Sequence, residues 1–124
     1  MSTQHNTDAK YLINWKDGAS NPEAATISMI LAVTSSKSSE TAVFVSGDAS
    51  ELCIKGSAES INAPGYEPLA ALLAAYIKNG GMLWLCPACV KAKGISESDL
   101  LEGVEIAGAP KSMAFLASGG KLLA

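Results

Sequence analysis

The sequence predicts an α/β protein, a parallel sheet with helices on both of its faces. Three observations predict it. Short apolar or β-branched runs alternate with segments of helical length along the whole chain. The run 41–46 is almost wholly apolar or β-branched, as in a strand covered on both sides. Each strand-like run reaches the next through a helix-like segment, which is what parallel pairing with right-handed crossovers needs.

The elements follow in order. Residues 10–15 read as the first strand and 16–21 as a polar loop. A helix is expected over 22–34, with Asn21 as its cap and Pro22 at the first position, where a missing N–H costs nothing. After the polar turn 35–40 comes the second strand, broken by Gly47-Asp48. Asp48 is expected to cap a helix running from Ala49 to about Glu59, with a loop over 60–65. The next helix is expected over 66–78, stopped by Asn79-Gly80-Gly81. Residues 82–85 form a third strand, 87–93 a helix and 94–98 a loop. A short strand at 104–106, a helix over about 110–117 and a last strand at 121–123 complete the chain. Residues 1–9 read as a flexible N-terminal segment and 10–124 as a single domain, with no internal repeat and no linker.

Composition bounds the function. The net charge of −3 and a pI near 5.0 exclude the basic face that nucleic acid requires. The start is polar, without the apolar core of a signal peptide, and the longest apolar run, 69–77, is far short of the ~20 residues of a membrane helix. A cytoplasmic protein is therefore expected, with three cysteines resting as thiols. Charged residues make up only 17%, against roughly 25% in ordinary domains. Residues 27–33 and 69–77 are apolar almost all round, and a helix apolar on every side is buried on every side. Both facts predict that another chain covers part of this surface, the alternative being alanine-rich helices that tolerate water.

Cys86-Pro87-Ala88-Cys89 carries the chemistry. Cys86 falls at the junction of strand and helix, in the cap position, facing free backbone N–H groups and the positive end of the helix dipole. Such a place favours the reactive thiolate. Cys89 follows about one turn later, with Cα atoms roughly 5–6 Å apart, within disulfide reach. It reads either as a resolving thiol or as a small core residue. Cys53, between Leu52 and Ile54 in the middle of an expected helix, reads as inert. Asp17, Gly18, Gly47 and Asp48 follow the first two strands and are expected to rim the same pocket as substrate-binding residues, although caps and turns explain them equally well. Lys91 and Lys93 add positive potential near Cys86 or form a solvated face. No metal and no cofactor are expected. A structural zinc site wants four ligands, and beyond the pair only Cys53 and His5 remain, neither at a matching spacing; His5 lies in the flexible start and is given no catalytic role. No phosphate-binding or dinucleotide fingerprint is present.

The runs Ala63-Pro64-Gly65-Tyr66-Glu67-Pro68, Gly80-Gly81, Leu83-Trp84-Leu85-Cys86-Pro87-Ala88-Cys89, Lys93-Gly94-Ile95 and Leu101-Glu102-Gly103-Val104-Glu105-Ile106 together resemble small DsrE/DsrF-like proteins, as do Gly47-Asp48-Ala49 and Lys55-Gly56. In the sulfur-relay members a cysteine follows the strand and a glycine closes its helix eight residues on, the spacing of Cys86 and Gly94. The resemblance implies a three-layer α/β/α domain on a mainly parallel five-stranded sheet, homo- or hetero-oligomers built as trimers or hexamers (here a homotrimer or homohexamer), and a cysteine that carries persulfide sulfur. The second cysteine, Cys89, departs from the relay pattern, and the Pro87-Ala88 insert is typical of small stand-alone members, some of them of predicted-peroxiredoxin type. The expected function is thus a cytoplasmic sulfur carrier or sulfurtransferase with persulfide at Cys86, whose partners are itself and sulfur donor or acceptor proteins, with no nucleic acid and no membrane. Two alternatives stand beside it: a thiol–disulfide or peroxide-reactive protein using Cys86 and Cys89, and a non-enzymatic oligomeric module that binds small molecules.

Overall fold

A computed structural model describes residues 8–123. Five strands, β1 (Lys10–Trp15), β2 (Glu40–Val45), β3 (Met82–Leu85), β4 (Val104–Ile106) and β5 (Gly120–Leu123), form one sheet in the order β4-β3-β2-β1-β5. Every pairing is parallel. The chain steps outward from β1 to β4 and then returns to the free side of β1. Four α-helices connect or follow the strands: α1 (Pro22–Ser36), α2 (Leu69–Lys78), α3 (Pro87–Lys93) and α4 (Ala109–Ala117).

The period-two alternation of the strands sorts their side chains into two layers of core. Ile13, Trp15, Val43, Val45, Leu83 and Leu85 point to one face, where they pack with Ala25 and Met29 of α1 and with Leu69, Leu72, Leu73 and Tyr76 of α2. Val90 of α3 joins the edge of this cluster. Leu12, Ala42 and Trp84 point to the other face and meet Phe115 of α4. The Trp84 and Phe115 rings stand edge to face, 5.5 Å apart. Lys111 lies over Trp84 and reaches Glu105 at 2.7 Å, which lets a cation cap the smaller core. Helix, sheet and helix make the three layers expected. Among the described residues no helix is long and apolar enough to cross a membrane. The flexible segment expected over 1–9 lies outside the described residues apart from Asp8 and Ala9, and His5 lies outside them too.

The segment after β2 departs from expectation. No α-helix runs over 49–59. A 3₁₀ turn at Gly47–Cys53 is followed by extended Ile54 and a second 3₁₀ turn at Ser57–Ser60. Tertiary hydrogen bonds win over helix propensity here. Ile54 bridges Leu100, Lys55 N–H donates to Asp99 O at 2.9 Å, and Leu101 N–H donates to Cys53 O at 2.8 Å. Gly56, at φ +83°, ends any continuation. Cys53 therefore closes a 3₁₀ turn instead of lying mid-helix.

The second departure concerns α2, which starts at Leu69 and not at Tyr66. Pro68 is its cap with φ −56° and ψ 137°, and a proline pushes the residue before it away from helical backbone. Smaller shifts lengthen α1 to Ser36 and begin β5 at Gly120.

Tyr76 ties α2 to the sheet. Its buried hydroxyl lies 2.7 Å from Met82 O and 3.0 Å from Thr41 O, at the starts of β3 and β2. Burial raises its pKa well above the ordinary phenol value. Tyr76→Phe is expected to cost about 1–2 kcal/mol, because two buried carbonyls share that proton and the ring itself is retained. Urea unfolding of the two proteins measures this, and an unchanged midpoint would show that the hydroxyl contributes nothing.

Candidate functional site

Three loops leave the carboxyl ends of β1, β2 and β3 side by side. The sheet ladder holds them in register beyond the last strand residues. Ser46 N–H donates to Trp15 O at 3.1 Å and Cys86 N–H to Val45 O at 2.9 Å. Ala49 N–H then reaches back to Lys16 O at 3.2 Å. Gly47, Gly18 and Cys86 are thus brought to one edge of the sheet, the edge where α/β proteins place their sites.

Cys86 is the N-cap residue of α3, as its position before Pro87 implies, with extended backbone at φ −59° and ψ 120°. Its thiol does not close a capping hydrogen bond. The donor expected from the helix end comes from elsewhere and goes to the other cysteine: Gly47 N–H donates to Cys89 Sγ at 3.4 Å. That bond, first among its neighbours, holds the Cys89 thiol below its ordinary pKa. Partial burial opposes the shift, while the Cys86 thiol, the Ser50 hydroxyl and the Lys93 ammonium support it. Lys93 is itself held 3.5 Å from Glu51. Both cysteines are free and half-buried. Of the two thiols it is Cys89 whose sulfur receives a backbone donor, where the local capping pattern places that donor at Cys86.

Gly94 ends α3 in the left-handed region at φ +63°, with its N–H bonded back into the helix, so the cysteine helix is only two turns long. Lys93 at its end pairs with Glu51 of the 3₁₀ turn that carries Gly47, and Lys91, like Lys93, is exposed.

A second network stands beside the pair. Asp48 does not cap its own turn, whose N-cap is Ser46. Its carboxylate reaches across to the β1–α1 loop, where it accepts from Ser20 Oγ at 2.5 Å and from Ser20 N–H at 3.3 Å. The Ser20 hydroxyl, more than any other neighbour, holds the Asp48 carboxyl below the usual range, with further help from Lys93 and the Gly18 backbone. Gly18 packs against the Asp48 carbonyl so closely that a Cβ there would collide with it. Gly18, Gly47 and Asp48 therefore meet at this edge. Asp17 is half-buried in the same loop, with its carboxylate outside the network. Cys53 is fully buried and its pKa is pushed up to about 12 by that burial, which keeps it a neutral core thiol. Ser20, Ser50 and Glu51 were not singled out from sequence. Ser50 and Glu51 carry one faint signal, their place three and four residues after Gly47 in a turn.

Among the described residues no group of three or more His, Cys, Asp or Glu side chains is placed to hold a metal ion. An apolar groove of about 480 Å³ lies on α2, lined by Ile54, Ala70, Leu73, Ala74, Ile77 and Leu101, and shares no residue with the cysteine site.

Comparison with known proteins gives a consistent picture. A family model described as the DsrE/DsrF-like family matches residues 9–124. The uncharacterized protein MJ0760 of Methanocaldococcus jannaschii is 29% identical over 110 residues, which is 88% of this chain and 40% of that protein. The chain thus spans less than half the length of this curated relative. Among solved structures, the ychN protein from E. coli superposes with a TM-score of 0.76 at 21% identity, covering 94% of this chain and 98% of that one. Protein MTH1491 from Methanobacterium thermoautotrophicum superposes with a TM-score of 0.69 at 15% identity, with the same coverage. At these identities the two structures speak for the fold alone.

Proposed function

The chain belongs to the DsrE/DsrF-like family, and from that premise we propose that it is a sulfur carrier of the sulfurtransferase type, working through the Cys86–Cys89 pair. The observation that carries the reading is the hydrogen bond from Gly47 N–H to Cys89 Sγ, which gives one sulfur of the pair a donor next to a second thiol. The Cys86 thiol gives up its proton as it reacts, and the leaving thiolate takes that proton up. Cys86 sulfur attacks the outer sulfur of a persulfide donor, R–S–SH; the donor S–S bond breaks, R–S⁻ leaves and takes up a proton, and Cys86–S–SH forms. No net oxidation occurs. An acceptor thiolate then attacks the outer sulfur and restores the Cys86 thiol. Attack by Cys89 on the inner sulfur is the other exit: HS⁻ leaves and a Cys86–Cys89 disulfide closes, which an external thiol must reduce. Free thiols of this kind fit a reducing, cytoplasmic setting.

Intact mass after exposure to polysulfide tests the proposal. The unmodified protein and Cys53→Ser should gain the mass of one sulfur atom or more, and Cys86→Ser should gain none. Loss of two hydrogens without any gain would replace the carrier reading with that of a thiol–disulfide protein. No change at all would leave a module without sulfur chemistry.

The carrier also associates with itself in this reading, as a trimer or hexamer through the α1–α2 side. α1 and α2 pack together, and the surface they share with solvent includes Ile27 and Leu31, 41% and 44% exposed, together with exposed Ala71 and Ala74. Few charges interrupt it, in keeping with the low charged fraction of the chain.

A further inference from the structure

We infer that Ser50 is a positioning residue for Cys89: its buried hydroxyl and the Gly47 N–H form a two-donor seat that closes only on a negatively charged sulfur. The inference rests on the thiol-pair reading and deepens it.

Ser50 is fully buried, yet its Oγ has no hydrogen-bond partner among the described residues. A buried hydroxyl without a partner costs free energy, and alanine would fill the same space without that cost. Folding alone therefore gives no reason for the oxygen. The 3₁₀ turn that carries Ser50 packs against α3 and holds the Cys89 sulfur through Gly47 N–H, and that sulfur is the group on which the Ser50 hydroxyl acts. That approach falls short of a formed hydrogen bond, as expected toward a neutral thiol, which is a weak acceptor. An anionic sulfur is a far stronger one.

The local backbone explains the pairing of the two donors. Gly47 and Ser50 are three residues apart in the 3₁₀ turn Gly47–Cys53, and residues three apart in such a turn eclipse each other. The turn packs against α3, and Gly47 N–H reaches Cys89 from it. Gly47 makes the approach possible with φ +58°, a backbone that disfavours side chains. The charged and titratable groups around Cys89 are few. Lys93, from α3, favours the anion but is shared with Glu51 of the 3₁₀ turn. Asp48 is engaged by Ser20. Cys86 adds a thiol donor from the start of α3. The neutral donors at Gly47 and Ser50 are what fix the position of the charge.

The test is the pH profile of iodoacetamide alkylation of the full chain with Cys89 as its sole cysteine, made by Cys53→Ala and Cys86→Ala. Adding Ser50→Ala should raise the midpoint by about one pH unit, the weight of one hydrogen bond to a charged group. Ser50→Thr should restore it. The urea midpoint should hold or rise in Ser50→Ala, which a merely structural serine would not allow. An identical alkylation profile for parent and Ser50→Ala overturns the inference, as does a shift that Ser50→Thr fails to reverse. A shifted profile in a protein that takes no sulfur from polysulfide would leave the seat standing and remove the carrier function, so the two failures are distinguishable.

Discussion

Gly18→Ala is expected to destabilise the protein by about 3 kcal/mol, at the upper end of the range for overpacking, and to slow alkylation of Cys89 at neutral pH. The reason is a contact between two backbones. A Cβ on Gly18 would sit 2.6 Å from the Asp48 carbonyl carbon and closer still to its oxygen. No rotamer change relieves such a clash, since neither partner is the end of a flexible side chain. Either the β1–α1 loop or the turn after β2 must move. Movement of the turn breaks Ala49 N–H to Lys16 O and displaces Gly47, whose N–H is the main support of the Cys89 anion. Gly94→Ala gives the contrast. Gly94 has left-handed backbone but open space around it, so the cost is conformational, about 1 kcal/mol. Urea unfolding and iodoacetamide rates on both variants measure the difference. Equal stability of Gly18→Ala and the parent would mean that the loop accommodates a methyl group and that the cysteine site does not depend on this contact.

The dependence of the site on contacts between loops also explains what could be read from the sequence. The strands were legible because each is short, apolar and followed by a turn signal; β3 and β4 appear with the bounds the pattern implies. The α1 start was legible because Asn21 and Pro22 act locally, and Asn21 does accept the Ala24 N–H. The segment after β2 was not, because its conformation is decided by hydrogen bonds to residues 99–101, more than forty positions away. The same division runs through the site. That Cys86 begins a helix after a strand is a local fact and was readable. That the Cys89 sulfur receives a backbone donor depends on Gly47, 42 residues earlier. Likewise Asp48 looked like a helix cap because Asp favours caps, whereas its partner is Ser20 on a neighbouring loop. The place of Gly18 after β1 puts it at this rim, but its close contact with the Asp48 backbone leaves no trace in spacing or composition.

Ala74→Glu is expected to split the assembly into folded monomers. Light scattering of the unmodified chain at micromolar concentration should give a multiple of 12.7 kDa, and the variant should give 12.7 kDa itself. Ala74 is exposed on α2 and lines the apolar groove with Ala70, Leu73 and Ile77. Stable interfaces bury roughly 800 Å² per partner, and each apolar Å² removed from water contributes on the order of 25 cal/mol before association costs. The exposed alanines of α2, with exposed Ile27 and Leu31 on α1, supply apolar area of that kind without side-chain entropy to lose at the alanines. A carboxylate placed there must be desolvated in the contact, and even with Lys78 one turn further along α2 the burial of that charge outweighs a marginal interface. Glutamate is a good helix former, and position 74 faces solvent in the single chain, so the monomer should keep its circular dichroism spectrum. Ala114→Glu supplies the control. Ala114 is exposed on α4, on the opposite side of the sheet, and its variant should keep the assembly intact. A mass of 12.7 kDa for the unmodified chain would show that α1 and α2 tolerate water, and that the low charged fraction of the sequence has another cause.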